Sequence, residues 1–123
     1  ALACPAVTAL TLVDLDRRAI DAARRNIADP RARFLQHDLR RPSPGLVELD
    51  FAIMNPPFHE GGKDDKALGQ AFVAAAAAML KKGGVCRLVA NVALPYEAPL
   101  ARDFSSVALI DRSGGYKIYE ARR

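Results

Sequence analysis

The sequence predicts an α/β fold with a mostly parallel sheet and an antiparallel terminal hairpin. Short apolar runs rich in β-branched residues alternate with runs of helical length over the first two thirds of the chain. Two further strand patterns follow, joined by Ser113-Gly114-Gly115, a sequence typical of a tight turn. Because strand–helix alternation favours parallel pairing and a tight turn favours antiparallel pairing, we expect both kinds.

The first predicted elements are a strand, a helix and a second strand. The run from Ala9 to Leu15 is apolar and β-branched, and Asp16 follows it as the amino-terminal cap of a helix. This helix is expected from Arg17 to about Ala28, with its apolar residues on one face. A short second strand is expected from Arg33 to Gln36, followed directly by His37-Asp38.

The remaining elements are predicted from composition and from turn residues. A charged, mobile segment, Lys63 to Lys66, is expected to lead into an alanine-rich helix. Lys81-Lys82-Gly83-Gly84 is expected to close this helix, with cations at the negative end of its dipole and glycine as the cap. The predicted elements are a third strand Phe51–Met54, a helix Lys66–Leu80, a fourth strand Val85–Asn91, one or two helical turns within Pro95–Phe104, and hairpin strands Ser106–Asp111 and Tyr116–Ala121.

Length and composition fit a single domain, residues 1–123, with a real core, since 50% of the residues are hydrophobic and 26% are charged. The net charge of +4 permits nucleic-acid binding without demonstrating it. Cys4 and Cys86 are far apart and indicate neither a disulfide framework nor a zinc site. No apolar run approaches the ~20 residues of a membrane span, so a soluble cytoplasmic protein is expected.

The strongest candidate site is the corner Asn55-Pro56-Pro57-Phe58, which follows the third strand. Two prolines stop a strand because they lack backbone N–H donors, so the chain turns at Asn55. The carboxyl end of a parallel strand is where open α/β sheets bind ligands. The alternative is a tight loop in which Asn55 only caps a turn.

Two acids at strand ends are candidate cofactor contacts. Asp14 could accept hydrogen bonds from ribose hydroxyls, and Asp38 could accept one from an adenine amino group. The alternative for each is a turn or strand-end aspartate, while Asp16 is read as a helix cap. His37 and His59 are read as turn or surface residues rather than general bases.

The corner resembles the substrate motif of S-adenosylmethionine-dependent methyltransferases that act on planar nitrogens. With Leu88-Val89-Ala90-Asn91, Leu94-Pro95-Tyr96 and Tyr116 to Ala121, it most resembles the bacterial ribosomal RNA guanine-N2 methyltransferases. The resemblance implies a Rossmann-like class I methyltransferase fold, S-adenosylmethionine as cofactor, and the guanine N2 amine of rRNA in the small ribosomal subunit as acceptor. It places Asn55, Pro56, Pro57 and Phe58 at the substrate, and Asp14, Asp38, Leu39 and Asn55 at the cofactor, with no metal.

In the mechanism that this implies, the Asn55 side-chain oxygen and the Pro56 carbonyl accept hydrogen bonds from the substrate NH₂ and aim its lone pair at the methyl carbon. Phe58 stacks on the base. Alkylation of an amine by a sulfonium centre needs no strong base before attack. Positioning therefore dominates, because well-oriented reactants lower a barrier by roughly 7–11 kcal/mol.

The sequence departs from the family in one respect. The family's first strand and glycine-rich loop should precede Thr11, and no G-x-G is present. We therefore expect a carboxyl-terminal piece of a longer enzyme or a divergent remnant, which by itself does not bind S-adenosylmethionine with useful affinity. Strands left beside such a gap would favour strand exchange or a homo-oligomer through the open sheet.

Other functions stay open from the sequence. An adenine-N6 or protein glutamine-N5 methyltransferase would use a similar corner, although Tyr is more usual there than Phe58. A non-catalytic RNA-binding remnant is favoured by the positive charge and by the absence of the loop. An NAD-binding domain would use Asp14 but would give the corner at Asn55 no role.

Overall fold

The computed structural model describes residues 1–43, 45–56 and 63–123, with residues 63–65 described by their backbone alone. Three helices and six strands lie in these ranges, in the order β1 (Leu10–Asp14), α1 (Arg17–Asn26), β2 (Ala32–Gln36), β3 (Leu49–Met54), α2 (Lys63–Met79), β4 (Leu80–Asn91), α3 (Glu97–Asp103), β5 (Ser106–Ser113) and β6 (Tyr116–Arg122). They form two compact units, Ala1–Leu39 and Arg40–Arg123.

The first unit is a strand–helix–strand motif. Strands β1 and β2 pair in parallel from Leu10 beside Ala32 to Asp14 beside Gln36. Helix α1 packs against both strands and buries Ile20. The predicted cap at Asp16 is confirmed, because its carboxylate accepts a hydrogen bond of 2.8 Å from the backbone N–H of Arg18. Arg24 and Arg25 lie in the last turn, where cations suit the helix dipole.

The amino-terminal segment of this unit is held by one half-buried arginine, Arg31. The Arg31 guanidinium donates to the backbone carbonyls of Leu2 at 2.6 Å and Val7 at 2.8 Å. It also forms an ion pair of 2.7 Å with Asp29, which lowers the pKa of that carboxyl to about 2 through the side-chain hydrogen bond. Residues ahead of β1 are therefore anchored to the turn that precedes β2.

The second unit contains a four-stranded mixed sheet in the order β3-β4-β6-β5. Strand β3 pairs in parallel with β4, and β6 lies antiparallel between β4 and β5. The hairpin turn is confirmed at Gly114 and Gly115, whose φ angles of 58° and 81° lie in the left-handed region that favours glycine. Among the described strands of this sheet, the β3–β4 pairing is thus parallel, whereas the β4–β6 and β6–β5 pairings are antiparallel.

One face of this sheet forms the core with α2 and α3. Alternate residues of β4, Cys86, Leu88 and Ala90, are buried toward the helices. The other buried members of the cluster are Val73, Ala76, Ala77, Leu80, Tyr96, Leu100, Phe104, Tyr119 and Ala121. The opposite face carries Phe51 and Ile53, which are 46% and 65% exposed.

The predicted start of α2 is wrong, whereas its predicted end is right to within one residue. The helix begins at Lys63 rather than near Lys66, so the segment expected to be mobile is its first turn. The sequence there contains two aspartates, a residue type favoured at the positive end of a helix dipole. The helix ends at Met79, one residue before the predicted end.

The expected cap by Lys81-Lys82-Gly83-Gly84 is also wrong. These residues belong to an irregular first part of β4, where the register with β3 shifts between Leu49 and Phe51. Lys81 forms an ion pair with Asp50. The cation at the end of α2 is instead Arg123, whose guanidinium donates to the carbonyl of Leu80. This cation lies far from α2 in sequence, so no local pattern indicates it.

Candidate functional site

The predicted corner lies at the carboxyl end of β3. Asn55 follows the strand and is exposed, while Pro56 is buried. The Asn55 side chain has no hydrogen bond to any part of the chain that the structure describes. Pro57 and Phe58 lie outside the described residues, as does His59. The part of the corner that is described therefore presents an exposed amide, without a hydrogen bond to the other described residues, beside a buried proline.

The strand beneath Asn55 is held rigidly by its neighbours. Met54 lies beside Leu88 of β4 in the parallel register, and both Ala52 and Met54 pack against the core cluster. A buried proline and a paired strand leave little backbone freedom to Asn55. Asn55 is therefore presented from an ordered strand end, as orientation-based chemistry requires.

Helix α2, which follows the corner in sequence, is fixed by a close contact with Tyr96. A Cβ atom placed on Gly69 would overlap the Tyr96 hydroxyl and lie 3.0 Å from two ring carbons. Tyr96 is 7% exposed and immediately precedes α3. Gly69 therefore allows the Tyr96 ring to pack directly on the helix backbone.

Asp14 lies at the carboxyl end of β1. One of its carboxylate oxygens, Oδ1, accepts a hydrogen bond of 2.8 Å from the backbone N–H of Asp16. Its backbone carbonyl accepts a bond of 3.0 Å from His37, just after β2. Asp14 is exposed, so the turn role considered from the sequence is present and the carboxylate still faces solvent. Its role toward ribose stays a prediction.

Asp16 has the structural role that was expected of it. Its side-chain and backbone hydrogen bonds with Arg18 hold the pKa of the carboxyl below its usual range. Asp38 and Leu39 follow β2 and are half-buried, and Asp38 has interactions of its own. Because β1 and β2 are parallel neighbours, Asp14 and Asp38 share the carboxyl edge of one small sheet. The contacts of Asp38 and Leu39 with a cofactor stay predictions.

A polar cluster in the second unit was not predicted from the sequence. Glu97, the first residue of α3, accepts a hydrogen bond of 2.7 Å from Lys117 and another from the Tyr119 hydroxyl. Lys117 and Tyr119 are 7% and 3% exposed. These hydrogen bonds lower the pKa of Glu97 to about 2. The signal in the sequence was the lysine at a core-facing position of a strand, because such a buried cation requires a partner.

The same cluster affects the pKa values of its other two members. Burial lowers the pKa of Lys117, but its hydrogen bonds with Glu97 and Tyr119 outweigh burial and leave the pKa raised. Burial and then the hydrogen bond to Glu97 raise the pKa of Tyr119. All three groups therefore keep their ordinary neutral-pH charge states, and the cluster joins α3 to β6.

The cysteines do not form a reactive site. Burial raises the pKa of the Cys86 thiol to about 12, so it remains protonated in the core. Cys4 is exposed and free. Within residues 1–43, 45–56 and 63–123, no group of three or more His, Cys, Asp or Glu side chains could hold a metal ion. Among the helices that the structure describes, none has the length and apolar character needed to cross a membrane.

Comparison with known proteins gives concordant matches. The family model described as the methyltransferase small domain matches residues 1–120. Ribosomal RNA small subunit methyltransferase C of Hamiltonella defensa is 35% identical over 114 residues, which are 91% of this chain and 33% of that protein. The Yersinia enterocolitica protein of the same name is 34% identical over 90% of this chain and 32% of its own length. The chain thus spans about a third of the length of these curated relatives.

Solved structures give a similar result. A 16S rRNA N2 methyltransferase of Thermus thermophilus, solved in complex with AdoMet and guanosine, superposes with a TM-score of 0.76 at 30% identity. The match covers 94% of this chain and 31% of that chain. TrmN of the same organism superposes with a TM-score of 0.63 at 26% identity, covering 94% of this chain and 36% of TrmN.

Proposed function

The chain belongs to the methyltransferase small domain family, and from this membership we propose that it transfers a methyl group from S-adenosylmethionine to the exocyclic N2 amine of guanine in ribosomal RNA. The membership confirms the family resemblance and the Rossmann-like fold class predicted from the sequence.

The observation that carries the proposal is the corner at Asn55. Its side-chain amide follows a parallel strand, is exposed, and is not engaged by the described part of the chain. The adjoining Pro56 offers a carbonyl and no N–H donor. These two oxygens are acceptors of the kind that bind an NH₂ group on a planar base.

In the proposed reaction the chain's own groups work by orientation. The Asn55 Oδ1 and the Pro56 carbonyl oxygen each accept one hydrogen bond from the two N–H groups of the guanine amine, so the lone pair of its nitrogen projects away from them. We assign Pro57 to the substrate corner and Phe58 to stacking on the guanine ring. When bound, S-adenosylmethionine supplies an electrophilic methyl group, and the proton of the methylated nitrogen then passes to water.

The residues at the β1–β2 edge fit the proposed cofactor. Asp14 presents an exposed carboxylate, which matches a vicinal diol, and Asp38 follows on the neighbouring strand. We assign Asp14 to the ribose hydroxyls, Asp38 to the adenine amino group and Leu39 to an apolar contact with the adenine. We also assign Asn55 to the cofactor, because the amine that it is proposed to bind must meet the methyl group.

The proposed substrate class is supported by the relatives. The two curated proteins reported above are named for the small-subunit rRNA, and the Thermus structure contains guanosine. A net charge of +4 suits a polyanionic partner. A cytoplasmic location belongs to the same proposal because ribosomes are the substrate. The proposal also includes self-association through the edge of β3, which pairs with β4 in the described sheet.

The proposal is tested by methyl transfer from tritiated S-adenosylmethionine, catalysed by the protein that carries this chain. Small ribosomal subunits that lack the modification should accept the label at guanine N2, while release-factor protein and adenine-containing RNA should not. Label on a glutamine or on adenine N6 would replace the proposed substrate. RNA binding without any transfer would indicate a binding module instead.

A variant pair tests the role of Asn55. Asn55→Ala should reduce turnover about a hundredfold, the effect typical of removing one preorganised polar contact to a transition state. Cofactor affinity should stay within a few-fold. Asn55→Asp keeps an oxygen acceptor but adds charge and removes the amide, so it serves as the matched control. Turnover by Asn55→Ala equal to that of the parent protein would rule out this assignment.

A further inference from the structure

A row of exposed, uncharged side chains lies along the edge of the second unit's sheet that also carries Asn55. Asn91 ends β4, and Tyr116, at the start of β6, lies directly opposite it. Ser113 of β5 lies opposite Tyr116 in turn. Directly opposed residues of antiparallel strands share one face of the sheet. Asn55, Asn91, Tyr116 and Ser113 are all exposed and occur at the same edge.

Tyr116 differs from the other two tyrosines of the chain. Tyr96 and Tyr119 are 7% and 3% exposed and belong to the core, whereas Tyr116 is 53% exposed. It alternates with the core-facing Lys117, so it lies on the face that α2 and α3 do not cover. An exposed aromatic ring with no role in the core is available for stacking on a flat ligand.

Asn91 is fixed by the loop that follows it. Its Oδ1 accepts a hydrogen bond of 3.0 Å from the backbone N–H of Ala93, which leaves its NH₂ group as a donor. The next residue, Val92, donates at 3.0 Å to the carbonyl of Gly115 in the hairpin turn. Asn91 and Tyr116 are thus held together as one preorganised pair.

Exposed aromatic rings on which successive bases stack are a feature with which proteins bind single-stranded nucleic acid. Adjacent strands lie about 4.8 Å apart, so Tyr116 is two strand spacings, about 10 Å, from the strand that carries Asn55.

We propose that Asn91 and Tyr116 form a second nucleotide site beside Asn55. The Tyr116 ring stacks on a base adjacent to the target guanine in the same RNA strand, and the Asn91 NH₂ group hydrogen-bonds to the edge of that base. The inference rests on the proposed function, because Asn55 defines which nucleotide is the target.

The test measures binding of the protein to fluorescein-labelled RNA oligonucleotides by anisotropy. Their guanosine is constant and the neighbouring bases vary. Tyr116→Ala should weaken binding about tenfold or more, the scale of one base–aromatic stack, and Tyr116→Phe should bind within twofold of the parent. Leu109→Ala is the matched control, because Leu109 is also 53% exposed in the same hairpin but pairs opposite the core residue Tyr119.

Asn91 is tested separately from charge effects. Asn91→Asp keeps the oxygen that accepts from Ala93 and removes the NH₂ donor. Its added charge should weaken the binding of all oligonucleotides alike. Loss of the donor should also reduce the differences in affinity between oligonucleotides that differ in the base beside the guanosine.

Substrate length separates this inference from the proposed function. Tyr116→Ala should raise the KM for an oligonucleotide and leave transfer to guanosine alone unchanged. Equal oligonucleotide binding by Tyr116→Ala and the parent, with methyl transfer intact, overturns the second site and leaves the proposed function standing. A parent protein that neither binds nor methylates RNA overturns both. Circular dichroism melting of each variant confirms that it is folded.

Discussion

The contact between Gly69 and Tyr96 predicts an unusual response to a single methyl group. In the interior of a helix, Gly→Ala normally stabilises by about 0.8–1.0 kcal/mol. Here the added Cβ would overlap the Tyr96 hydroxyl and lie 3.0 Å from two carbons of a buried ring. Overpacking of this kind costs about 1–3 kcal/mol. Gly69→Ala should therefore have a net effect between neutral and about 2 kcal/mol destabilising, by subtraction of the two terms.

Urea unfolding followed by circular dichroism at the helix band measures this free energy. Tyr96→Phe removes the hydroxyl, so Gly69→Ala should cost less in that background, with a coupling energy of about 0.5–3 kcal/mol. Gly45→Ala is the control, because nothing lies within 4 Å of a Cβ at Gly45. If Gly69→Ala stabilised the protein by the full helix-propensity gain, the close packing of Tyr96 on α2 would be refuted.

Three further predictions concern charged groups. In the protein that carries this chain, Asp14→Ala should weaken S-adenosylmethionine binding by about 1.5–3 kcal/mol, the value of a charged hydrogen bond, and calorimetry showing unchanged affinity would reject the ribose assignment. Because hydrogen bonds lower the pKa of Glu97 from 4.5 to about 2, the parent should be more stable than Glu97→Gln at neutral pH, and this advantage should shrink as the pH falls from about 4.5 toward about 2. Melting curves across that range check the sign, and a constant difference would contradict it. Arg31→Lys, which keeps the charge but loses the forked donor, should expose the segment around Leu2 to proteolysis while the unfolding of the second unit is unchanged.

Local signals in the sequence predicted the elements that depend on local chemistry. The cap at Asp16 bonds to a backbone N–H two residues away, and the turn at Gly114-Gly115 needs only glycine's freedom at positive φ. The exposed Asn55 after β3 follows from the prolines that end the strand. Such features need no knowledge of the rest of the fold.

Features that depend on distant contacts were not predictable in the same way. The end of α2 is set partly by Arg123, more than forty residues later by its hydrogen bond to Leu80, and no local pattern contains that contact. The partner of Lys117 is Glu97, on a different element. The roles of Asp14, Asp38 and Leu39 depend on a cofactor, and those of Pro57 and Phe58 concern residues outside the described ranges, so these remain predictions.

The position of β6 has a consequence for the order in which the second unit folds during synthesis. This strand is later in sequence than every other strand of its sheet, yet it lies between β4 and β5. It contributes Tyr119 and Ala121 to the core. Until the ribosome has released β6, the edge of β4 that pairs with β6 has no partner and the core lacks these two side chains. The unit should therefore complete its folding only after translation of β6, and its earlier elements would emerge with apolar surface that needs protection from association.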